Sequence, residues 1–394
     1  MKLERKNTVF DILFALLMFS IPLSIALPNL LLVVLTPLFI IKKKKIEAIN
    51  IYTKIVVVFI LYFIIKAIFA HSFIQNISSY KHLLAFGLLS ILTLGIENRF
   101  LVKKAYIIGV FLAVIFSLIQ SGVYYFNHHS LPFGNSDQIK HVLFIHRPYY
   151  GFMCLLAIIL IDEVYFNLTS KTQKKIGIII CVVLVVFVYL IVARLALLLI
   201  FSYLIFKIFK KTKSSKKKVL ISFSVILTTF SLLLLINKNF KNRLHIKDSF
   251  SETLKVVKNQ EPRFVIWSCF FNGINKPEFN LVFGYMNAKK IKETLNDCYN
   301  NTIENESKKA YYLETKFNTH NQFFDFFLQG GFISILLFLA MFFFSFFLSK
   351  NSFNAFFIII SLFLFLLIEN LFHRQIGVYL MGVFIPLFQK KRFK

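Results

Sequence analysis

Charge is scarce in this chain. Only 16% of its 394 residues are Asp, Glu, Lys or Arg, while 57% are hydrophobic and the mean hydropathy is +0.70. That balance excludes a water-soluble domain as the home of most of the mass. Cysteine is scarce as well. Four residues are too few for a disulfide scaffold, and no CxxC or zinc spacing occurs. The chain lacks an internal repeat, a Walker loop, a dinucleotide fingerprint and a metal-ligand cluster, so no cofactor and no metal are expected. Acidic residues number 18 against 46 Lys and Arg, a formal net charge of +28. In a soluble protein that excess would suggest nucleic acid. Here the lysines fall in short clusters between apolar runs and read as topology signals, with no nucleic-acid partner expected.

What the chain has in abundance is long apolar runs. They are about 17 to 25 residues long and recur from end to end, and each can cross a hydrocarbon core of about 30 Å as a helix. The expected fold is an all-α polytopic integral membrane protein of about twelve transmembrane helices, with both termini cytoplasmic. The runs lie near 9–25, from the Leu27-Pro28-Asn29 turn to Lys42, 54–70, 80–96, 105–126, 149–166, 176–192, from Arg194 to Lys207, 219–236, 323–349, 353–370 and from the His373-Arg374 turn to Lys390. Lysine clusters at 42–45, 99–104, 171–175, 207–218, 350 and 390–392 mark the cytoplasmic side. This divides the chain into residues 1–236 with helices one to nine, a large outer loop at 237–322, and residues 323–394 with helices ten to twelve and a basic tail. The loop carries nine of the 18 acidic residues and reads as a small helical cap. Its Glu261-Pro262-Arg263 step starts a helix that bears the only tryptophan, Trp267. Cys269 and Cys298 both lie in the loop and can pair if it faces an oxidising compartment. Asp162-Glu163, at a helix end, reads as a solvated flank rather than a metal site.

All nine histidines fall on or near the outer side in this topology, as do Arg147, Arg194, Arg263 and Arg374. Short outer loops should be poor in positive charge, so Arg147, Arg194 and Arg374 call for another reason. Binding an anion is the simplest, because guanidinium groups recognise phosphate oxygens bidentately; snorkelling to lipid headgroups is the alternative. His320, in Asn318-Thr319-His320-Asn321-Gln322 at the end of the loop, stands at the edge of the membrane. There it can act as a base near neutral pH, or it can simply end a loop.

Taken together these stretches resemble the bacterial O-antigen ligases and the related O-antigen and polysaccharide polymerases. Ala193-Arg194-Leu195-Ala196 resembles the family's Ser-Arg-Gly-Ala element, with Ala193 and Leu195 departing from it. Arg263, Trp267 and Gly284 resemble its Arg-x-x-x-Trp and Gly-x-Gly stretch, with Met286 in place of the second glycine. His320-Asn321 followed by Gly330-Gly331 resembles the His-Asn element that closes the large loop. Arg147-Pro148-Tyr149-Tyr150-Gly151 and Glu369-Asn370 through Arg374 and Gly377 are similar to two further elements. The likeness covers about residues 140–385.

The resemblance implies a metal-independent membrane glycosyltransferase of the bacterial inner membrane with its active site facing the periplasm. The donor would be a glycan on undecaprenyl pyrophosphate and the acceptor a sugar on lipid A-core, with membrane lipids as surroundings. Such a reaction needs a base for the acceptor hydroxyl and cations for the leaving pyrophosphate. His320, Arg194 and Arg263 are the catalytic candidates. Arg147, Arg374, Glu369, Asn321 and Tyr150 are the candidates for holding pyrophosphate or glycan; Glu369 can also orient a base or pair with Arg374, and an ordinary interfacial ion pair is the alternative for it. A polymerase of lipid-linked repeat units and a protein O-oligosaccharyltransferase share this chemistry. A polysaccharide-lipid transporter would instead place charge deep in the bundle.

Overall fold

The computed structural model describes residues 8–41, 50–71, 73–134, 138–166, 170–211, 224, 249, 251–252 and 261–389. The expected ninth run, most of the basic 207–218 segment and the C-terminal lysines lie outside them. The described residues are helical, with one isolated bridge between Asn280 and Gly284. The helices are α1 Val9–Ser20, α2 Ala26–Ile41, α3 Ile51–Phe69, α4 Phe73–Leu94, α5 Arg99–His128, α6 Arg147–Ile161, α7 Lys171–Leu190 and α8 Arg194–Lys211. After them come α9 Pro262–Ile274, α10 Ala288–Thr302, α11 Glu306–Thr315, α12 Gln322–Ser349, α13 Phe353–Leu366 and α14 Gln375–Phe388. Eleven of the twelve expected runs lie in described residues, and each is helical. Among the described residues five helices (α3, α5, α6 with its continuation to Phe166, α7 and α12) have the length and hydropathy of a crossing. Residues 9–20, 26–41, 80–94, 353–366 and 375–388 form shorter apolar helices. Such a set is that of a multi-pass membrane protein.

Two compact units are formed, each from separate stretches of chain: Met1–Leu35 with Ile96–Val257, and Thr36–Gly95 with Lys258–Lys394. In the first, α6 is the core. Every residue of α6 except Pro148 is buried, as expected of a helix apolar on all sides. Gly151 is what lets α8 approach, since a Cβ there would stand 2.3 Å from that of Ala193. At the far end of α6 a π-helical turn, Asp162–Phe166, carries two ion pairs, Glu163 with Lys103 and Asp162 with Lys207. Asp162-Glu163 is thus a partly buried pair of ion-pair partners rather than a solvated flank. The helix α1 starts with a capping box. The Thr8 hydroxyl accepts from Asp11 N–H at 3.2 Å, and Asp11 accepts from the Thr8 N–H at 3.3 Å.

In the second unit the phenylalanine excess has a clear use. Phe59 and Phe63 of α3, Phe326 and Phe338 of α12 and Phe372 meet edge to face, at centroid distances of 4.9 to 5.2 Å for Phe59–Phe63, Phe59–Phe326, Phe326–Phe338 and Phe326–Phe372. Above this floor α12 breaks. Gly331 takes φ 60° and ψ −158°, a conformation essentially restricted to glycine. The loop 280–285 inserts at the break. Tyr285 N–H donates to Leu328 O at 2.8 Å, and Phe332 N–H donates to Leu281 O at 2.9 Å. Tyr62 Oη donates to Gly330 O at 2.6 Å, and Lys66 Nζ donates to Tyr285 O at 2.7 Å and to Gln329 O. The carbonyls of Leu328, Gln329 and Gly330 and the N–H of Phe332 thus find partners at the break, as non-helical backbone in an apolar setting requires. The cap, α9 to α11, has its own core around Ile266, Phe270, Tyr285, Leu295 and Tyr299. Cys269 and Cys298 are bonded, joining α9 to α10.

Candidate active site

The site forms where three segments of the second unit meet: the start of α9, the loop before α12 and the turn between α13 and α14. Pro262 sits in the first turn of α9 with Glu261 as N-cap residue, which brings Arg263 and Trp267 onto one face, four residues apart. Trp267 Nε1 donates to Thr319 O at 3.1 Å. His320 follows in a left-handed conformation, φ 45°, with its N–H on Asn318 Oδ1 at 3.0 Å. Asn321 then caps α12, its Oδ1 accepting from Phe323 N–H at 2.9 Å and Phe324 N–H at 3.2 Å. The histidine is fixed from both sides, by a tryptophan behind and a helix cap ahead.

Glu369 is the hub. It is only 6% exposed. Its Oε1 accepts from Arg263 Nη2 at 3.2 Å, and its Oε2 lies 3.7 Å from His320 Nδ1. Arg263 Nη2 also donates to Ile368 O at 3.1 Å, and Nη1 donates to Glu261 Oε2 at 3.3 Å. The buried carboxylate therefore stands between a guanidinium and an imidazole. Next along the turn, Asn370 Nδ2 donates to Thr319 Oγ1 at 3.0 Å, Phe372 N–H donates to Gln322 Oε1 at 3.0 Å, and His373 Nε2 lies 2.9 Å from Asp325 Oδ2. Residues 369–373 are thus paired with 319–325 step by step.

Asp325–His373 is a second carboxylate–histidine pair. Asp325 also accepts from Gln322 Nε2 at 3.2 Å and Gln329 Nε2 at 2.8 Å. Burial disfavours the imidazolium of His373, but the charge and hydrogen bond of Asp325 outweigh it, against the opposing charges of Lys292 and Arg374. The net effect raises the pKa above the ordinary histidine value. Neither residue was among the sequence candidates. Gln322, Asp325 and Gln329 recur at helical spacing on one face of an otherwise apolar helix, which was the available signal.

Of the candidates drawn from the sequence, the second unit brings together His320, Asn321, Arg263 and Glu369. Arg374 is exposed on the same turn and precedes α14. Arg147, Tyr150 and Arg194 belong to the first unit. There the packing of Gly151 on Ala193 sets the starts of α6 and α8 side by side, with Arg147 buried and Arg194 exposed. Tyr150 is wholly buried, its hydroxyl 3.1 Å from Ser117 Oγ and its ring against Phe187. Among the described residues no group of three or more His, Cys, Asp or Glu is placed to hold a metal ion.

Residues 179–339 match the family model described as O-antigen ligase. Over that stretch the chain carries an O-antigen ligase family domain. The matched stretch holds Arg194, Arg263, Trp267, Gly284, His320, Asn321 and both glycines of the α12 break. Glu369 and Arg374 lie beyond it, as do Arg147 and Tyr150 before it. A comparison with curated proteins found no match. At family level the domain is that of an O-antigen ligase or polymerase type membrane glycosyltransferase.

Proposed function

We propose that the chain transfers a glycan from undecaprenyl pyrophosphate to an acceptor sugar hydroxyl on lipid A-core, at the periplasmic face of the bacterial inner membrane. The observation that carries this reading is His320 held at the head of a membrane helix with its Nδ1 toward buried Glu369. Glu369 Oε2 stands 3.7 Å from Nδ1, beyond a direct hydrogen bond; its charge favours the proton on that nitrogen, which leaves Nε2 as the base. Nε2 then takes the proton of the acceptor hydroxyl as its oxygen attacks the anomeric carbon. The bond from that carbon to the pyrophosphate oxygen breaks, and its electron pair leaves with the lipid pyrophosphate.

The negative charge that develops there needs cations. Within the second unit Arg374, exposed on the same turn as Glu369, is assigned to it; Arg147 and Arg194 keep the pyrophosphate role that the resemblance implies. Arg263 shares its charge with Glu369 and Glu261 and acts first on the orientation of the base. The Cys269–Cys298 bond supports the periplasmic face, since disulfides persist in oxidising compartments.

The test is the envelope glycan profile of a deletion strain complemented with wild type or His320→Ala. Loss of the whole ladder from lipid A-core, with lipid-linked polymer accumulating and no rescue by His320→Ala, supports a ligase. A single repeat unit left on the core would make the protein a polymerase. An unchanged lipopolysaccharide profile would overturn the reading.

A further inference from the structure

The cap carries two adjoining clefts that the reacting centre does not use. One, of about 450 Å³, lies between the end of α9 and the face of α10. The other, of about 490 Å³, continues past Met286 and Asn287. Both volumes are in the range of ligand sites, about 300–1,000 Å³. They share Glu278 and Lys290, an ion pair at 3.4 Å, so together they form one elongated groove.

The lining selects the ligand class. Asn272, Asn275 and Asn301 present exposed carboxamides, with Asp297 and Thr302 beside them. Glu278 and Lys290 neutralise one another, and Lys276 balances Asp297, so the groove offers no net charge to a phosphate. The first cleft has no aromatic or large aliphatic side chain along it to receive a lipid tail. Paired donors and acceptors on amides and carboxylates match vicinal hydroxyls, and half-exposed Met286 gives an apolar flank for a ring face.

Position supplies the link to the reaction. From Arg263 to Asn272 is nine residues of α9, about 14 Å along its axis, longer than one sugar ring. A monosaccharide is shorter than that separation, whereas a chain of several sugars matches it. We propose that this groove is a saccharide-chain subsite that holds the distal sugars of a glycan substrate. The proposal rests on the transferase reading above.

The experiment uses the full-length protein in detergent. The probe is the oligosaccharide released by mild acid from the host's own lipid-linked pool, fluorescently labelled, beside its labelled reducing-end monosaccharide. Wild type should bind the oligosaccharide at least tenfold more tightly than the monosaccharide. Asn301→Trp, which fills the groove, and Asn275→Ala, which removes one amide, should each weaken oligosaccharide binding, the first by about tenfold. In transfer assays Asn301→Trp should raise KM for the long-chain donor about tenfold at unchanged kcat. Equal binding by wild type and both variants, or no preference for the oligosaccharide, overturns the subsite even if transfer is normal. Groove-dependent binding without any glycan transfer would sustain the subsite and remove the transferase reading instead.

Discussion

Trp267 and Thr319 are joined by a single hydrogen bond, indole Nε1 to carbonyl oxygen at 3.1 Å, and the next residue is His320. A tryptophan in a folded cap thus fixes the backbone that delivers the base. A net hydrogen bond contributes about 1 kcal/mol, or roughly fivefold in rate if it is needed only for alignment. Trp267→Phe keeps an aromatic ring against Phe324, 5.7 Å away in the native contact, and loses only the donor. We expect kcat to fall about fivefold with KM for the donor held, measured as glycan transfer at matched protein level. A loss of folded protein in step with activity would assign Trp267 to cap stability alone.

Arg263→Lys separates charge from geometry. The guanidinium reaches Glu369, Glu261 and Ile368 O together, which a single ammonium cannot do. Transfer should drop at least tenfold while the membrane level of protein is unchanged. Wild-type transfer by the lysine variant would reduce the role of Arg263 to simple charge.

Much of this was legible beforehand, for physical reasons that differ by element. The apolar runs announced their helices because a membrane helix must satisfy its backbone internally over a fixed length. The start of α9 was legible because proline fits the first helical turn. His320 stood out as a titratable group at a membrane edge. That Glu369 can orient a base was legible, but that it stands between Arg263 and His320 was not, because this depends on two segments meeting 49 residues apart in sequence. Arg263 looked like a phosphate ligand for the same reason, its carboxylate partners being invisible until the turn at 369–373 is folded against 319–325. The break of α12 was hidden too. Gly330-Gly331 signals a possible bend, but not that loop 280–285 fills it.

That filling makes a sharp demand at Gly331. A Cβ there would stand 2.3 Å from the carbonyl carbon and oxygen of Val282, in a backbone conformation costing about 1–3 kcal/mol for other residues. Gly331→Ala should therefore destabilise the second unit by at least about 3 kcal/mol. The expected readout is a lower unfolding temperature in detergent and lost transfer. A variant with native thermal stability would mean that α12 can run straight through.

The His373–Asp325 pair has a defined pH signature. The folded pKa of His373 is raised above the unfolded value of about 6.5. The stabilisation from the imidazolium–carboxylate contact is therefore complete below that unfolded value and is lost as pH rises through the higher folded one. Asp325→Asn removes both raising influences, so the pKa should fall from its raised value. An imidazole NMR titration of His373 in wild type and variant checks this. An unchanged midpoint would show that Asp325 does not hold the proton on His373.

The disulfide tests compartment and cap together. Cys269 and Cys298 are 29 residues apart, and cross-linking a loop of that length stabilises by about 3.5 kcal/mol in the chain-entropy account. Because Cys269 is buried in the cap core, breaking the bond also leaves a thiol among Ile266, Phe270 and Tyr299. Cys298→Ser should make the cap sensitive to protease added to spheroplasts and lower transfer, while α3 and α12 stay protected in the membrane. Alkylation of intact cells before and after reduction locates the bond. Thiols that appear only after reduction by an impermeant reagent mean that the cap lies outside the cytoplasm, in the compartment where a lipid-linked glycan must be met. Thiols already free in untreated cells would place the cap in the cytoplasm, and His320 with it, on the wrong side for the proposed transfer.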